Sequence, residues 1–309
     1  MSGCSRFSSL QSAQWGYSFL ELSQAIRQLI VTADDLGLSP EVNHGILDAH
    51  AQGVVTSASL LANAPETEAA VELAREAPEL EVGLHWSLVE GHCLLGRECS
   101  ITDRLRYLGK SICLHRHWKP FVLRYLMRRL SMQEMAEELE LQVRKFLTYF
   151  PKIPFANGTQ HMHLLPGVSE LIVSLARKYN IRALRVPQQI VRTPGLSSRS
   201  VFTLLMARLG RRFVQKIENT GILSTDSFAG FDMSGSVTAD RVLPLLDSLP
   251  QGTCELMTHP GLDCPSLREG LPWGYHDFDW AGERTAMMDP RIRKKIDSLG
   301  IRLVRFGDL

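Results

Sequence analysis

No two cysteines stand at CxxC spacing; Cys4, Cys93, Cys99, Cys113, Cys254 and Cys264 are scattered along the chain. A zinc knuckle or a thiol redox motif is therefore not expected, and a reducing, cytoplasmic setting is the simplest reading. No apolar run approaches the roughly 20 residues that a membrane-spanning helix needs. The N-terminal stretch holds Ser, Gln and aromatics but lacks the apolar segment of a secretory signal. Residues 1–27 read as a poorly ordered extension and 28–309 as the folded part. An excess of one charge is also missing. The net formal charge is +1, so no overall field recruits nucleic acid. Internal repeats and low-complexity segments are absent, and no Gly-rich phosphate turn follows the first apolar run.

What is present is length and alternation. The chain has 309 residues, normal for one β/α barrel. "QLIVTAD" reads as a strand, followed by a helix with Ser39 as N-cap, Pro40 at its first position and Gly53 as its stop. "TSASLLAN" and "EVGLHWSL" are strands on either side of the helical "ETEAAVELAREAP". "SMQEMAEELELQVRKFLTYF" predicts a helix capped by Ser131, with Glu134 at the capping-box position. "FANGTQHMH", "ALRVP", "TDSFAGF", "GTCELMTH" and "IRLVRFGD" complete the strands, with helices between them. Strand then helix, about eight times, predicts a single parallel β/α barrel with its active site at the carboxyl ends of the strands.

The polar residues of interest sit at those ends. They are Asp34, Asp35, His85, His161, His163, Arg185, Asp226 and His259. Each alone has an ordinary explanation: a helix cap, a core histidine, a stray ion pair or a turn residue. Together they aim titratable groups from several strands at one mouth. Neighbouring aspartates on a strand face different ways, so one can bind a divalent metal while the other serves as a base. With histidines from other strands, this is the layout of a hydrolytic metal site. In "NGTQHMHLLPG", Thr159, His161 and His163 alternate, and an extended strand would set all three on one face.

"LIVTADDLGLSPEVNHGI", "GLHWSL", "QHMHLLPGV", "ELMTHPG" and "IRLVRFGDL" together resemble the YdjC-like carbohydrate deacetylases. That family includes the chitooligosaccharide deacetylases and members associated with hopanoid biosynthesis. The resemblance runs from Gln28 to the C-terminus; the segment Arg97 to Met132 matches no motif of it. It implies a polysaccharide-deacetylase-like barrel and hydrolysis of the acetamide of an N-acetylated sugar. The metal it implies is divalent, usually magnesium, with zinc or manganese as alternatives. Asp34 then takes the base position, and Asp35 and His85 are metal ligands. More loosely, Arg185 orients the base and His259 acts as acid. Where the family shows three alternating histidines, the first, a metal ligand, is Thr159 here. Either His161 has taken the role, or Asp35 and His85 hold the metal with waters, or binding has been lost. His163, Thr159, Trp86 and Asp226 are assigned to the substrate side.

Three readings follow: a metal-dependent carbohydrate deacetylase, a related hydrolase with changed substrate or metal, and a silent member that still holds a sugar. The substrate is an N-acetylated sugar, an oligosaccharide or a lipid-linked sugar, with no nucleic acid partner; an oligomer is compatible with the sequence. Between Leu114 and Met132, Arg116, Lys119, Arg124, Arg128 and Arg129 interleave with Trp118, Phe121, Tyr125 and Leu126. This predicts either a basic amphipathic helix in peripheral contact with an anionic membrane, or a surface helix packed on the barrel.

Overall fold

A computed structural model describes residues 27–108, 111–115, 117–188, 190–191, 200–263 and 278–309. Of the expected N-terminal extension only Arg27 lies among them. It opens β1 (Arg27–Leu36), which is followed by α1 (Pro40–Ala51), β2 (Ser57–Leu60), α2 (Thr67–Glu76) and β3 (Glu81–Trp86). An antiparallel hairpin, β4 (Thr102–Leu108) and β5 (Ser111–Leu114), leads into α3 (Trp118–Leu126) and α4 (Met132–Tyr149). Then come β6 (Phe155–Gly158), a 3-10 segment (Thr159–Leu164), α5 (Val168–Lys178), β7 (Ala183–Leu184) and α6 (Ser200–Ile217). β8 (Ser227–Ala229), α7 (Ala239–Asp247), β9 (Gly252–Thr258), helices Trp280–Met287 and Pro290–Ser298, and β10 (Arg302–Leu303) close the chain.

The main sheet is parallel in the order β7-β6-β3-β2-β1-β9-β8, with β10 paired to the start of β1. Among the described residues the ladder is open between β7 and β8. Only isolated bridges, Ala183 to Leu223 and Ile190 to Phe228, cross that gap. The expected barrel is therefore a curved half-barrel. No helix among the described residues is long and apolar enough to cross a membrane.

Local signals explain most boundaries. Ser39 Oγ accepts from Val42 N at 3.2 Å, and Pro40 starts α1, which ends at Ala51 with Gln52 rather than Gly53 as its cap. Ser131 Oγ caps α4 by accepting from Glu134 N. The capping box is only half made, because the Glu134 carboxylate turns away to Ser100 N and Arg97.

A parallel sheet covered on both faces needs apolar residues on both. Leu29, Val31 and Ala33 of β1 join the main core, while Ile30 belongs to a second cluster with Phe155, Ala183, Val304 and Phe306. The Phe155 and Phe306 rings stack at 4.1 Å. Toward their carboxyl halves the strands carry buried polar residues, Thr32, Ser59, His85, Asn157 and Glu255, with Arg185 just past β7. Gly83 permits this layering. A Cβ there would lie 2.5 Å from both the Phe155 ring and its carbonyl oxygen. Gly83→Ala is expected to destabilise the fold by about 1–3 kcal/mol through overpacking. Denaturant titration checks this as a lowered midpoint with an unchanged slope.

Candidate active site

Asp34 and Asp35 end β1, and both line one cavity of about 470 Å³. On a regular strand they would face opposite ways. Here the β1–β2 register shifts between Ala33 and Leu36, and Asp35 takes a left-handed backbone (φ 68°). That irregularity lets both carboxylates reach the cavity. His85, His161 and His259 line it too.

Asp34 is held from several sides. Arg185 donates from Nη1 to Oδ2 at 2.5 Å and from Nη2 to Oδ1 at 2.9 Å. Ser59 Oγ donates to Oδ1 at 2.7 Å and Asn157 Nδ2 at 3.0 Å. Burial pushes this carboxyl up, but the Arg185 guanidinium and the His85 charge prevail and hold it far below the usual carboxylate range. Arg185, 1% exposed, is gripped in turn by Glu255, whose Oε1 accepts from Nε at 2.8 Å and Nη2 at 2.6 Å.

His85 Nδ1 lies 2.5 Å from Asn157 Oδ1 and 3.2 Å from Ser59 Oγ. With Nδ1 as donor to the amide oxygen, Nε2 faces Asp35 Oδ1 at 3.3 Å. Burial lowers the basicity of His85; Asp34 and Asp35 outweigh it and raise its pKa. Neither Asp35 oxygen receives a hydrogen bond among the described residues. A bare buried carboxylate beside an imidazole whose far nitrogen is fixed is a donor pair suited to a divalent cation. His161, on the same cavity wall, has an unpartnered Nδ1. Burial and the Arg185 charge lower its pKa well below the ordinary value, so the ring is neutral. Among the described residues, however, no three His, Cys, Asp or Glu side chains gather closely enough to hold a metal.

His259 stands against Phe278 and Trp280, with ring centroids at 5.0 and 6.2 Å. The buried Glu283 fixes it: Oε2 accepts from His259 N at 2.5 Å and Thr258 Oγ1 at 2.9 Å, and lies 3.7 Å from His259 Nδ1. Burial disfavours the imidazolium, but Glu283, Asp35 and Asp34 outweigh it and raise the pKa.

Several sequence expectations fail here for geometric reasons. β6 stops at Gly158, and Gln160 and His161 adopt left-handed backbone (φ 51° and 55°), so Thr159, His161 and His163 do not share a strand face. Only His161 reaches the cavity. His163 packs near Phe213, donates from Nε2 to the Arg185 carbonyl at 3.1 Å, and is pushed down to about 3, chiefly by burial. Thr159 is buried off the cavity lining. Trp86 points to α4, where its Nε1 donates to Leu139 O. Asp226 lies at the amino end of β8, where Oδ2 accepts from Thr253 N. Neither lines the cavity. Ser59, Asn157, Glu255 and Glu283 were missed. Strand parity points to Asn157, two residues from Phe155, and to Glu255. Glu283 carries no local signal; it is one glutamate in a short helix.

A profile of the YdjC-like protein family matches residues 28–298. The chain belongs to that family. Its relatives include a human carbohydrate deacetylase, 30% identical with 93% of each chain covered. A Klebsiella pneumoniae chitooligosaccharide deacetylase is 35% identical, with 92% of this chain and 99% of that one covered. A crystal structure from Enterococcus faecalis, provisionally described as a cellobiose-phosphate cleavage protein, shares the fold. Its TM-score is 0.69 at 23% identity, covering 92% of this chain and 98% of that one.

The Glu283 contact makes a pH prediction. A raised His259 pKa keeps the ring protonated below that pKa, and the proton is lost as pH rises through it. Glu283→Gln removes a nearby negative charge and lowers the His259 pKa. The alkaline limb of a kcat/KM–pH profile for acetate release should therefore move to lower pH. An unmoved limb would exclude His259 as the group it reports.

Proposed function

We propose that this protein is a metal-dependent carbohydrate deacetylase that hydrolyses the acetamide of an N-acetylated sugar. The carrying observation is a fixed carboxylate held well below the usual range and an imidazole raised above its ordinary pKa on one cavity: two titratable groups whose environments drive them apart. The activities of its relatives, a carbohydrate deacetylase and a chitooligosaccharide deacetylase, support the substrate class.

Water is the nucleophile. Asp34 Oδ1 already accepts from Arg185, Ser59 and Asn157, whereas Oδ2 accepts only from Arg185. Oδ2 is therefore the atom with capacity to take the water proton as its oxygen bonds to the acetyl carbon. His259 donates its proton to the leaving nitrogen as the C–N bond breaks, giving acetate and the amino sugar. Asp35 and His85 would hold the divalent cation, magnesium by family resemblance with zinc or manganese as alternatives, and His161 is a further candidate donor on the cavity wall. When bound, that ion supplies Lewis-acid polarisation of the acetyl carbonyl and lowers the pKa of water. Arg185 orients Asp34. Cys93, Cys99 and Cys254 are free thiols, in keeping with a cytoplasmic setting.

Acetate release from N-acetylated oligosaccharides and lipid-linked sugars tests the reading. EDTA should suppress it. Asp34→Asn should lower kcat at least about 100-fold, since only the proton acceptor is removed. An unchanged rate would remove Asp34 from the role of base.

A second observation favours a lipid-linked sugar among the substrates. On α3, Phe121 is buried, but Leu123 and Leu126 are 59% and 70% exposed, and Met127 beside them is also exposed. Arg124, Arg128 and Arg129 flank them. Apolar residues ringed by arginines suit peripheral contact with an anionic bilayer. Flotation with anionic liposomes should retain the protein at low salt and lose it in Leu123→Asp/Leu126→Asp; no retention of the parent would exclude the contact.

A further inference from the structure

The cavity has a wall that the chemistry above does not use. Its floor is Asp34, Asp35, His85 and His259, delivered by β1, β3 and β9. A further part of the lining, His117, Trp118 and Lys119, is the first turn of α3. It arrives through the β4–β5 insertion between β3 and β6, inside the segment Arg97 to Met132 that matches no motif of the sequence resemblance.

The turn is built, not draped. His117 Nδ1 caps α3 by accepting from Lys119 N at 3.2 Å. Phe121, with no exposed surface, pins the helix from below and meets the His115 ring edge-on at 6.5 Å. The His117 ring stacks against Trp118 at 5.8 Å and 30°, and Lys119 Nζ lies 5.8 Å from the indole centre. An indole, an imidazole and an ammonium thus border the cavity together.

A pyranose asks for this combination. Its C–H faces are apolar and its edges carry hydroxyls. The acetamido group must reach the floor, so the remainder of a chain extends toward the mouth. We propose that the first turn of α3 is the subsite for the sugar ring neighbouring the one that is deacetylated. Trp118 is its stacking platform, and Lys119 is the donor to its hydroxyls. The inference rests on the deacetylase reading and adds to it a preference for disaccharides and longer chains over monosaccharides, set by the insertion rather than by the strand ends.

The test compares N-acetylglucosamine with N,N′-diacetylchitobiose. Acetate release is measured for the full-length parent, Trp118→Ala, Trp118→Phe and Lys119→Met. In parallel, calorimetry measures diacetylchitobiose binding to the same proteins carrying Asp34→Asn. Trp118→Ala should raise KM for the disaccharide about 3- to 10-fold, with kcat changed less, and cut the disaccharide-over-monosaccharide ratio of kcat/KM by a similar factor. Trp118→Phe should restore most of that ratio, and Lys119→Met should lower it less than alanine at 118 does. Trp118→Leu keeps apolar bulk without a flat ring, so it should behave like alanine and replaces it if the alanine variant does not fold. A parent without disaccharide preference, or a Trp118→Ala protein that keeps that preference or binds diacetylchitobiose as tightly as its parent, overturns the subsite. A parent that releases no acetate from either sugar, nor from a lipid-linked N-acetylated sugar, overturns the deacetylase reading instead. The binding arm then decides Trp118 by itself: weakened binding supports it and unchanged binding rejects it.

Discussion

The site depends on one buried guanidinium. Arg185 sits inside the half-barrel with no route to water, and a charge there persists only if it is paired and hydrogen-bonded. It meets Asp34 with two parallel hydrogen bonds and Glu255 with two more. The planar fork serves both carboxylates at once, which an ammonium would not. Through Asp34 the constraint reaches Ser59 and Asn157, and through them His85. One ion-paired layer thus fixes the orientation of four strand-end side chains.

Convergence on one cavity requires departures from regular strands. A pleated strand sends successive side chains to opposite faces, so β1 delivers both aspartates only because its pairing slips and Asp35 takes a left-handed backbone. The end of β6 makes the complementary change. There the chain coils into 3-10 turns, and His161 swings to the cavity while His163 goes to the Phe213 side. Left-handed non-glycine residues cost energy and tend to collect where function holds them. Asp35 and His161 are both of that kind, and both face the cavity.

The strand–helix alternation, the boundaries of α1 and α4, and the placement of Asp34, Asp35, His85 and His259 on one cavity, with Arg185 behind Asp34, were legible because each has a local signal. Those signals are hydrophobic period, cap chemistry, or a polar residue ending an apolar run. Family resemblance supplied the expected roles. What failed was register across irregular backbone. Thr159, His161 and His163 share a face only while the chain is extended, and no residue in "GTQHMH" announces the turn. Trp86 failed by parity: it follows His85, so on the same strand it points the other way. Asp226 failed by polarity of the strand, lying at the wrong end of β8. Glu283 was illegible because its partner His259 is 24 residues away, and only tertiary packing joins them.

Two carboxylates share Arg185 unequally, and the difference suits their positions. Burial raises both. At Asp34 the guanidinium, His85 and His259 overcome that and hold the group ionised; at Glu255 burial wins, helped by the nearby Asp34 charge, and the pKa rises. The signs of their contributions to stability are therefore opposite. The lowered Asp34 pKa stabilises the fold above its unfolded value, and that stabilisation fades as pH falls toward the folded value. The raised Glu255 pKa works the other way, favouring the fold on the acid side. Asp34, which borders the cavity, is the member that stays charged. Glu255, off the cavity lining, is the member whose ionisation burial opposes. The ionised carboxylate is thus kept at the edge of the cavity, while the cost of burying the second carboxylate falls on a residue off its lining.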